Sequence, residues 1–267
     1  MLALPSARRP DWTEAVLLGP ETWIVLAAGA VSAAIAAAIA WLVRKREFEP
    51  EDITIGFLGP SLAAMYLLVL AIALATEWQT IGSAQQAVGN EAVAVRQLYW
   101  AATGLPPTSA NQLRHQVRDY AALVVRHDWP QMERGTLDDR SEQALTAMST
   151  FLLKLNPASP AAATAQQYGL AQVSAMASAR AGRESAAETR LPAGLLAAAI
   201  ATSAIVCLFP FAGGIRSTRV CIALAALQAA LVTVGVVVIF QLNNPFSGPL
   251  ATTPDPIAAA AALADAR

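Results

Sequence analysis

Charge is what this chain has least of. Only 14% of its 267 residues are Asp, Glu, Lys or Arg, where a soluble domain carries about one quarter. The scarcity is also uneven. Four apolar runs, Trp23–Val43, Ile53–Thr76, Leu191–Ile215 and Val220–Gln241, contain no Asp, Glu, Lys, Arg or His at all. Each has about the 20 residues that a helix needs to cross a hydrocarbon core of roughly 30 Å. A charge placed at mid-bilayer would cost about 2.5–3.5 kcal/mol, so lipid as solvent accounts for the absence. The net charge of −1 removes any general electrostatic case for binding nucleic acid.

The other absences narrow the chemistry. There are two cysteines, Cys207 and Cys221, both inside apolar runs, where packing is their expected role. The two histidines, His115 and His127, stand twelve residues apart with no cysteine or carboxylate pair at ligand spacing, so no metal or other cofactor is expected. The chain lacks an HExxH run, a phosphate-binding glycine loop and a nucleophile elbow. Its apolar runs carry no carboxylate that an intramembrane hydrolase would need. An enzyme is therefore not the expected reading.

The runs themselves set the organisation. Arg44, Lys45 and Arg46 follow the first run rather than precede it, the reverse of a secretory signal, so this run is expected to stay as a membrane helix. Residues 1–22 form a lead-in, 23–76 a first transmembrane hairpin, 77–190 an extramembrane insertion, 191–241 a second hairpin and 242–267 a tail. Gly29, Ala33 and Ala37 fall at every fourth position, which permits close approach of another helix. Gly56, Gly59 and Pro60 interrupt the start of the second run, so its regular helix is expected from near Ser61. No proline follows until Pro106, and the helix is expected to continue past Glu91 to Tyr99 as a stalk.

Residues 77–190 hold ten basic and ten acidic residues, the balance of a solvated, folded region. Leu113, Val117, Tyr120, Ala121 and Val124 share a face at helical spacing. Ser141 is placed to cap a helix bearing Leu145, Met148, Phe151 and Leu152. A polar, Ala-rich helix is expected over 161–188. The predicted fold is all-α: a polytopic membrane protein with four transmembrane helices and a helical extramembrane insertion between the second and third.

Five segments carry a resemblance. They are Asn90-Glu-Ala-Val-Ala-Val-Arg-Gln-Leu-Tyr99, Gly104-Leu-Pro106, Val117-Arg-Asp-Tyr120, Asp128-Trp-Pro-Gln-Met132 and Asn244-Pro-Phe-Ser-Gly248. In order and spacing they resemble the bestrophin-like family of membrane proteins, over residues 23 to 257. Within them Glu91, Arg96, Tyr99, Pro106, Tyr120, Trp129, Pro130, Pro245, Phe246 and Gly248 are taken as structural positions. The resemblance implies a distant relation to bestrophins, which are pentameric anion channels with four membrane helices per subunit. It therefore implies a homo-oligomer in a lipid bilayer that passes inorganic ions. Two departures stand out: neutral Asn243 and Asn244 replace an expected charge, and Ala64–Thr76 offers no clear counterpart of the bestrophin constriction.

Glu77, Gln228, Gln241, Asn243 and Asn244 are the candidate pore or polar membrane positions. Gln228 is a primary amide in hydrocarbon that needs a partner, either as glue between helices or as the lining of a wet path. Glu77 could form a carboxylate ring, although such a ring repels anions; with Trp78 it also fits a helix leaving lipid. Glu91, Arg96, Arg118 and Asp119 are expected in cross-helix ion pairs, and Asp128-Trp-Pro in a helix-ending turn. Thr202, Ser203 and Thr233 can bond back to their own helix. The charge bias is even, five basic residues beside the short loops and five opposite. The Arg44-Lys-Arg46 cluster tips the orientation toward an extracytoplasmic insertion in a bacterial inner membrane. Two functions fit: an ion channel or pore, and a non-conducting scaffold or sensor whose helical domain binds a protein partner.

Overall fold

The computed structural model describes residues 52–134, 139–212, 219–248 and 250–263, with side chains except at 52–57, 211–212, 219, 221 and 263. It also describes Ala27, Val31, Ala34, Ile35 and Ala38, which are helical and exposed. Otherwise the first apolar run lies outside the described residues. So do the lead-in 1–22, the Arg44-Lys-Arg46 cluster, the loop 213–218 and the Cys221 side chain.

Every regular element among the described residues is helical. Helix α1 spans Asp52–Ala101, and a 3-10 turn, Ala102–Gly104, leads to α2 (Pro107–Leu123). A π-helical turn, Val124–Asp128, passes into α3 (Trp129–Met132). Then come α4 (Arg140–Leu153), α5 (Pro160–Glu188), α6 (Ala193–Ala212), α7 (Arg219–Leu242) and α8 (Asp255–Leu263). The chain forms two compact units. The first comprises Met1–Glu77 and Leu191–Asn243, the second Trp78–Arg190 and Asn244–Arg267.

Among the described residues, three helical stretches bear on the membrane reading. Leu58–Gly104, Pro160–Pro210 and Ile222–Leu242 are each long and apolar enough to cross a membrane. Helix α1 does not wait for Ser61: it begins at Asp52 and runs through Pro60. In an apolar solvent an interrupted helix leaves several backbone groups unpaired, which costs more than the one bond that proline removes. Two small apolar clusters form in the first unit, one on Tyr66, Val206 and Val232, the other on Ala73, Leu191, Ala199 and Ile239. Thr202, Ser203 and Thr233 donate their hydroxyls to carbonyls one turn back on their own helices.

The second unit has one continuous core. Along α1 and into the 3-10 turn the buried positions Ala84, Val88, Glu91, Val95, Leu98 and Ala102 recur every three or four residues, the spacing of one helix face. Leu113, Val117, Tyr120, Ala121 and Val124 form the buried face of α2 and the π turn, as their periodicity predicts. Leu145, Met148 and Leu152 do the same for α4. Gly104 is needed for close packing, because a Cβ there would stand 2.7 Å from the Ala165 side chain on α5. Pro107 opens α2 at a position whose amide has no helical partner in any case. Ser159 caps α5, accepting from the Ala162 amide at 3.1 Å. Ser141, expected as a cap, instead lies inside α4 with its hydroxyl buried against α5.

Candidate functional site

The polar positions of the first unit are mostly committed to its own helices. Gln228 on α7 donates its side-chain amide to the Val206 carbonyl on α6 at 2.9 Å. Tyr66 on α1 donates its hydroxyl to the Val232 carbonyl on α7 at 3.1 Å. Because a carbonyl can only accept, these bonds tie α1, α6 and α7 through groups that hydrocarbon would leave costly. Tyr66 reaches Val232 over Gly235, where an added Cβ would sit 2.6 Å from the phenol oxygen. Tyr66, Gln228, Phe209 and Leu227 also line an apolar cavity of about 560 Å³. Nothing in the sequence flagged Tyr66, since its partner is 166 residues away.

The remaining candidate positions take structural places. Gln241 is half-buried near the end of α7. Asn243 accepts from the Leu191 amide at 2.9 Å and so joins the start of one chain segment to the end of another. Asn244 donates to the Glu133 carbonyl at 2.7 Å and accepts from the Phe246 amide at 3.0 Å, forming its own tight turn. Glu77 is only 3% exposed.

A buried charge cluster dominates the second unit. Arg183 on α5 and Glu91 on α1 are both fully buried and form a two-pronged ion pair, Nε to Oε2 at 2.5 Å and Nη2 to Oε1 at 3.0 Å. Tyr120 on α2 donates its hydroxyl to the same Oε1. The third Arg183 nitrogen, Nη1, lies 3.2 Å from the Met132 sulfur, and the guanidinium stacks 5.7 Å from the Trp129 ring. Phe246 meets Trp129 edge to face, with centroids 5.6 Å apart. Charge-assisted bidentate bonds of this kind are strong, and the contacts of this ion pair gather α1, α2, α3 and α5.

Asp128 is also fully buried, its Oδ2 at 3.6 Å from Arg183 Nη2. Burial pushes its carboxyl above the ordinary aspartate value; the Ser141 hydroxyl and the Arg183 and Arg180 guanidiniums pull the other way without overcoming it. Burial first, and then the Glu91 charge, holds the Tyr120 phenol well above its usual range, so it stays a donor. Beside the cluster, Arg180 donates Nε to Ser141 Oγ at 2.8 Å and reaches the more exposed Glu142 and Glu184 at 3.6 and 3.5 Å.

Local sequence explains how Asp128 comes to face inward. Pro130 has no amide to give to a carbonyl four residues back, and its ring crowds that position. The helix widens just before it, with the Trp129 amide donating to the Val124 carbonyl five residues earlier. Asp128-Trp-Pro is thus a π turn inside a continuing helical path, rather than the helix-ending turn expected.

The structure brings Glu91, Tyr120, Trp129 and Phe246 together and leaves others at the periphery. Pro245 is buried, and Gly248 takes the positive φ of 93° that its turn requires. Pro106 accepts from the Ala110 amide at the start of α2. Tyr99 lies under Arg114 at 5.0 Å, and Arg96 is exposed. Asp119 pairs with His115 one turn away at 2.8 Å on an exposed surface. Arg183 was missed as a partner, though a signal existed. It continues, with Arg180, the helical spacing of Val173, Met176 and Ala187, so both arginines fall on the apolar face.

The model of the bestrophin-like domain matches residues 25–257. No curated protein matches the sequence. Two solved structures share the fold, both single-substitution variants of a bacterial bestrophin homologue from Klebsiella pneumoniae. One has a TM-score of 0.64 at 14% identity, covering 88% of this chain and 94% of that chain. The other has a TM-score of 0.61 at 15% identity, covering 92% and 96%.

Proposed function

This chain belongs to the bestrophin-like family, and from that premise we propose that it is an oligomeric integral membrane protein forming an ion-conducting pore. In this reading four helices cross a bacterial inner membrane, the helical insertion 77–190 stands outside the bilayer on its extracytoplasmic side, and α1 of each subunit surrounds the axis. Glu77, Gln228, Gln241, Asn243 and Asn244 are the polar positions nearest the path.

The observation that carries the reading is the unoccupied face of α1. In the first unit it presents Met65, Leu68 and Ile72, each 47–61% exposed. In the second it continues in sequence through Gly82, Gln86, Gly89, Val93, Arg96 and Trp100. A glycine inside a helix costs roughly 0.5–1 kcal/mol relative to alanine. Among the described residues nothing lies within 4 Å of where a Cβ would stand at Gly82 or Gly89. Small residues with no neighbour among the described residues suit close approach by a second copy. The test is ion flux through liposomes containing the purified protein. Flux above that of empty vesicles is expected, and its absence across salts and pH would sink the pore.

The second reading is a non-conducting scaffold or sensor that binds a protein through its helical domain. It is favoured by Trp100, Leu153 and Tyr168 of the second unit, which are 60%, 66% and 44% exposed and are large for a solvated surface. Failure of flux together with a purified partner that binds only when residues 105–185 are present would select it.

A further inference from the structure

The interior of the second unit contains two fully buried carboxylates, Glu91 and Asp128, and one fully buried guanidinium, Arg183. The geometry divides that guanidinium unequally. Glu91 takes both Nε and Nη2 at hydrogen-bond distance and receives the Tyr120 hydroxyl as well. Met132 sulfur occupies Nη1. Asp128 is left with Nη2 at 3.6 Å, and among the described residues neither of its oxygens meets a donor at full hydrogen-bond geometry.

We propose that Asp128 is a proton-binding site, and that its ionisation loosens the π turn Val124–Asp128 and the adjoining helix Trp129–Met132. A buried carboxylate without good donors is better accommodated as the neutral acid. The groups facing it do not change this. From α5 come Arg183, committed to Glu91, and Arg180, shared between Ser141 and the carboxylates of Glu142 and Glu184. From α4 comes the Ser141 hydroxyl, which favours the carboxylate but by less than burial opposes it, from α2 the neutral Tyr120 phenol and from α1 the anionic Glu91. On its own element, His127 and Arg126 lie toward solvent, His127 within 3.4 Å of Arg140.

The consequence has a definite sign. Burial raises the carboxyl in the folded chain, so between the unfolded and folded values the folded state holds a proton that the unfolded state has released. Stability of this segment is therefore greatest at the acidic end of that window and falls as pH rises through the folded value. One proton limits the change to about tenfold in the opening equilibrium per pH unit. The turn is suited to respond, because π segments are irregular and this one carries Trp129 and Met132 directly onto Arg183. The site stands whether or not the chain conducts ions.

The experiment is hydrogen exchange with mass spectrometry on the full chain in lipid nanodiscs. Peptides spanning 124–132 are followed across the pH range above ordinary aspartate titration, after correction for the intrinsic exchange rate. In the wild type, opening is expected to increase with pH by up to about tenfold per unit. In Asp128→Asn, an uncharged stand-in for the neutral acid, it should stay flat. A flat wild type, or an Asp128→Asn chain that follows the wild-type trend, overturns the proposal. Should that variant fail to fold, infrared spectra of wild type with carbon-13 aspartate decide. A label-shifted carboxylic acid band persisting above ordinary aspartate titration supports the site, and no such band refutes it.

Discussion

In the first unit Leu67, Leu208, Leu224 and Leu231 are each more than half exposed, and the apolar contacts fall into two small clusters. In the second, Leu98, Leu113, Met148 and Leu152 are wholly buried in a single core that also encloses Arg183, Glu91 and Asp128. Apolar side chains exposed in one unit and charges buried in the other are opposite departures from the usual globular arrangement. The solvent explains the first. Lipid is as apolar as leucine, so exposing these side chains there is no penalty, and association rests on close packing and hydrogen bonds. The second shows that a closed apolar core can hold a charge pair once its members are saturated with partners.

The contrast breaks most severely at Arg183. Arg183→Met leaves Glu91 buried without its ion-pair partner and takes from Asp128 the guanidinium at 3.6 Å, and should cost about 3–5 kcal/mol. Denaturant unfolding that shows less than about 1 kcal/mol lost would mean that water already reaches the cluster. Core truncation comes next. Leu98→Ala, at a fully buried position, should lose about 2–5 kcal/mol. Leu208→Ala, at a position 55% exposed, should change stability by no more than about 0.5 kcal/mol. Equal losses in thermal unfolding would erase the distinction between the units.

A smaller effect is expected at the Tyr66–Gly235 contact. Gly235→Ala places a methyl against the phenol oxygen and should destabilise the first unit by about 1–3 kcal/mol. Adding Tyr66→Phe should restore part of that loss, whereas simply additive losses in a double-mutant cycle would exclude direct contact. The smallest effect belongs to Gln228. Gln228→Leu removes one interhelical bond, worth about 0.6 kcal/mol on average in membranes. If the unfolding midpoint barely moves while liposome flux falls sharply, Gln228 lines the path rather than merely joining helices.

Much of this division could be read along the chain. The buried faces of α2 and α4 followed from their spacing, because helical periodicity carries burial directly into sequence. Helix α1 was less legible: Gly56, Gly59 and Pro60 argued for a later start, yet the backbone stays helical from Asp52. The charge cluster was legible only in part. Glu91 stood out as a charge on a helix of small residues, but its partner Arg183 lies 92 residues away, and no local rule pairs them. Asp128 looked like punctuation before proline, and only the widened turn, packed against α5, turned it inward.

What the sequence determined by itself is the helical class, the uncharged runs and the faces that turn away from water, since these depend on composition and on a repeat of 3.6 residues. The tertiary structure decided which of those faces meet. It gave Glu91 to Arg183, gave Gln228 and Tyr66 their carbonyls, and left Asp128 short of donors. Those choices rest on distances between atoms remote in sequence, where a difference of 1 Å separates a bidentate ion pair from a carboxylate better kept as the acid.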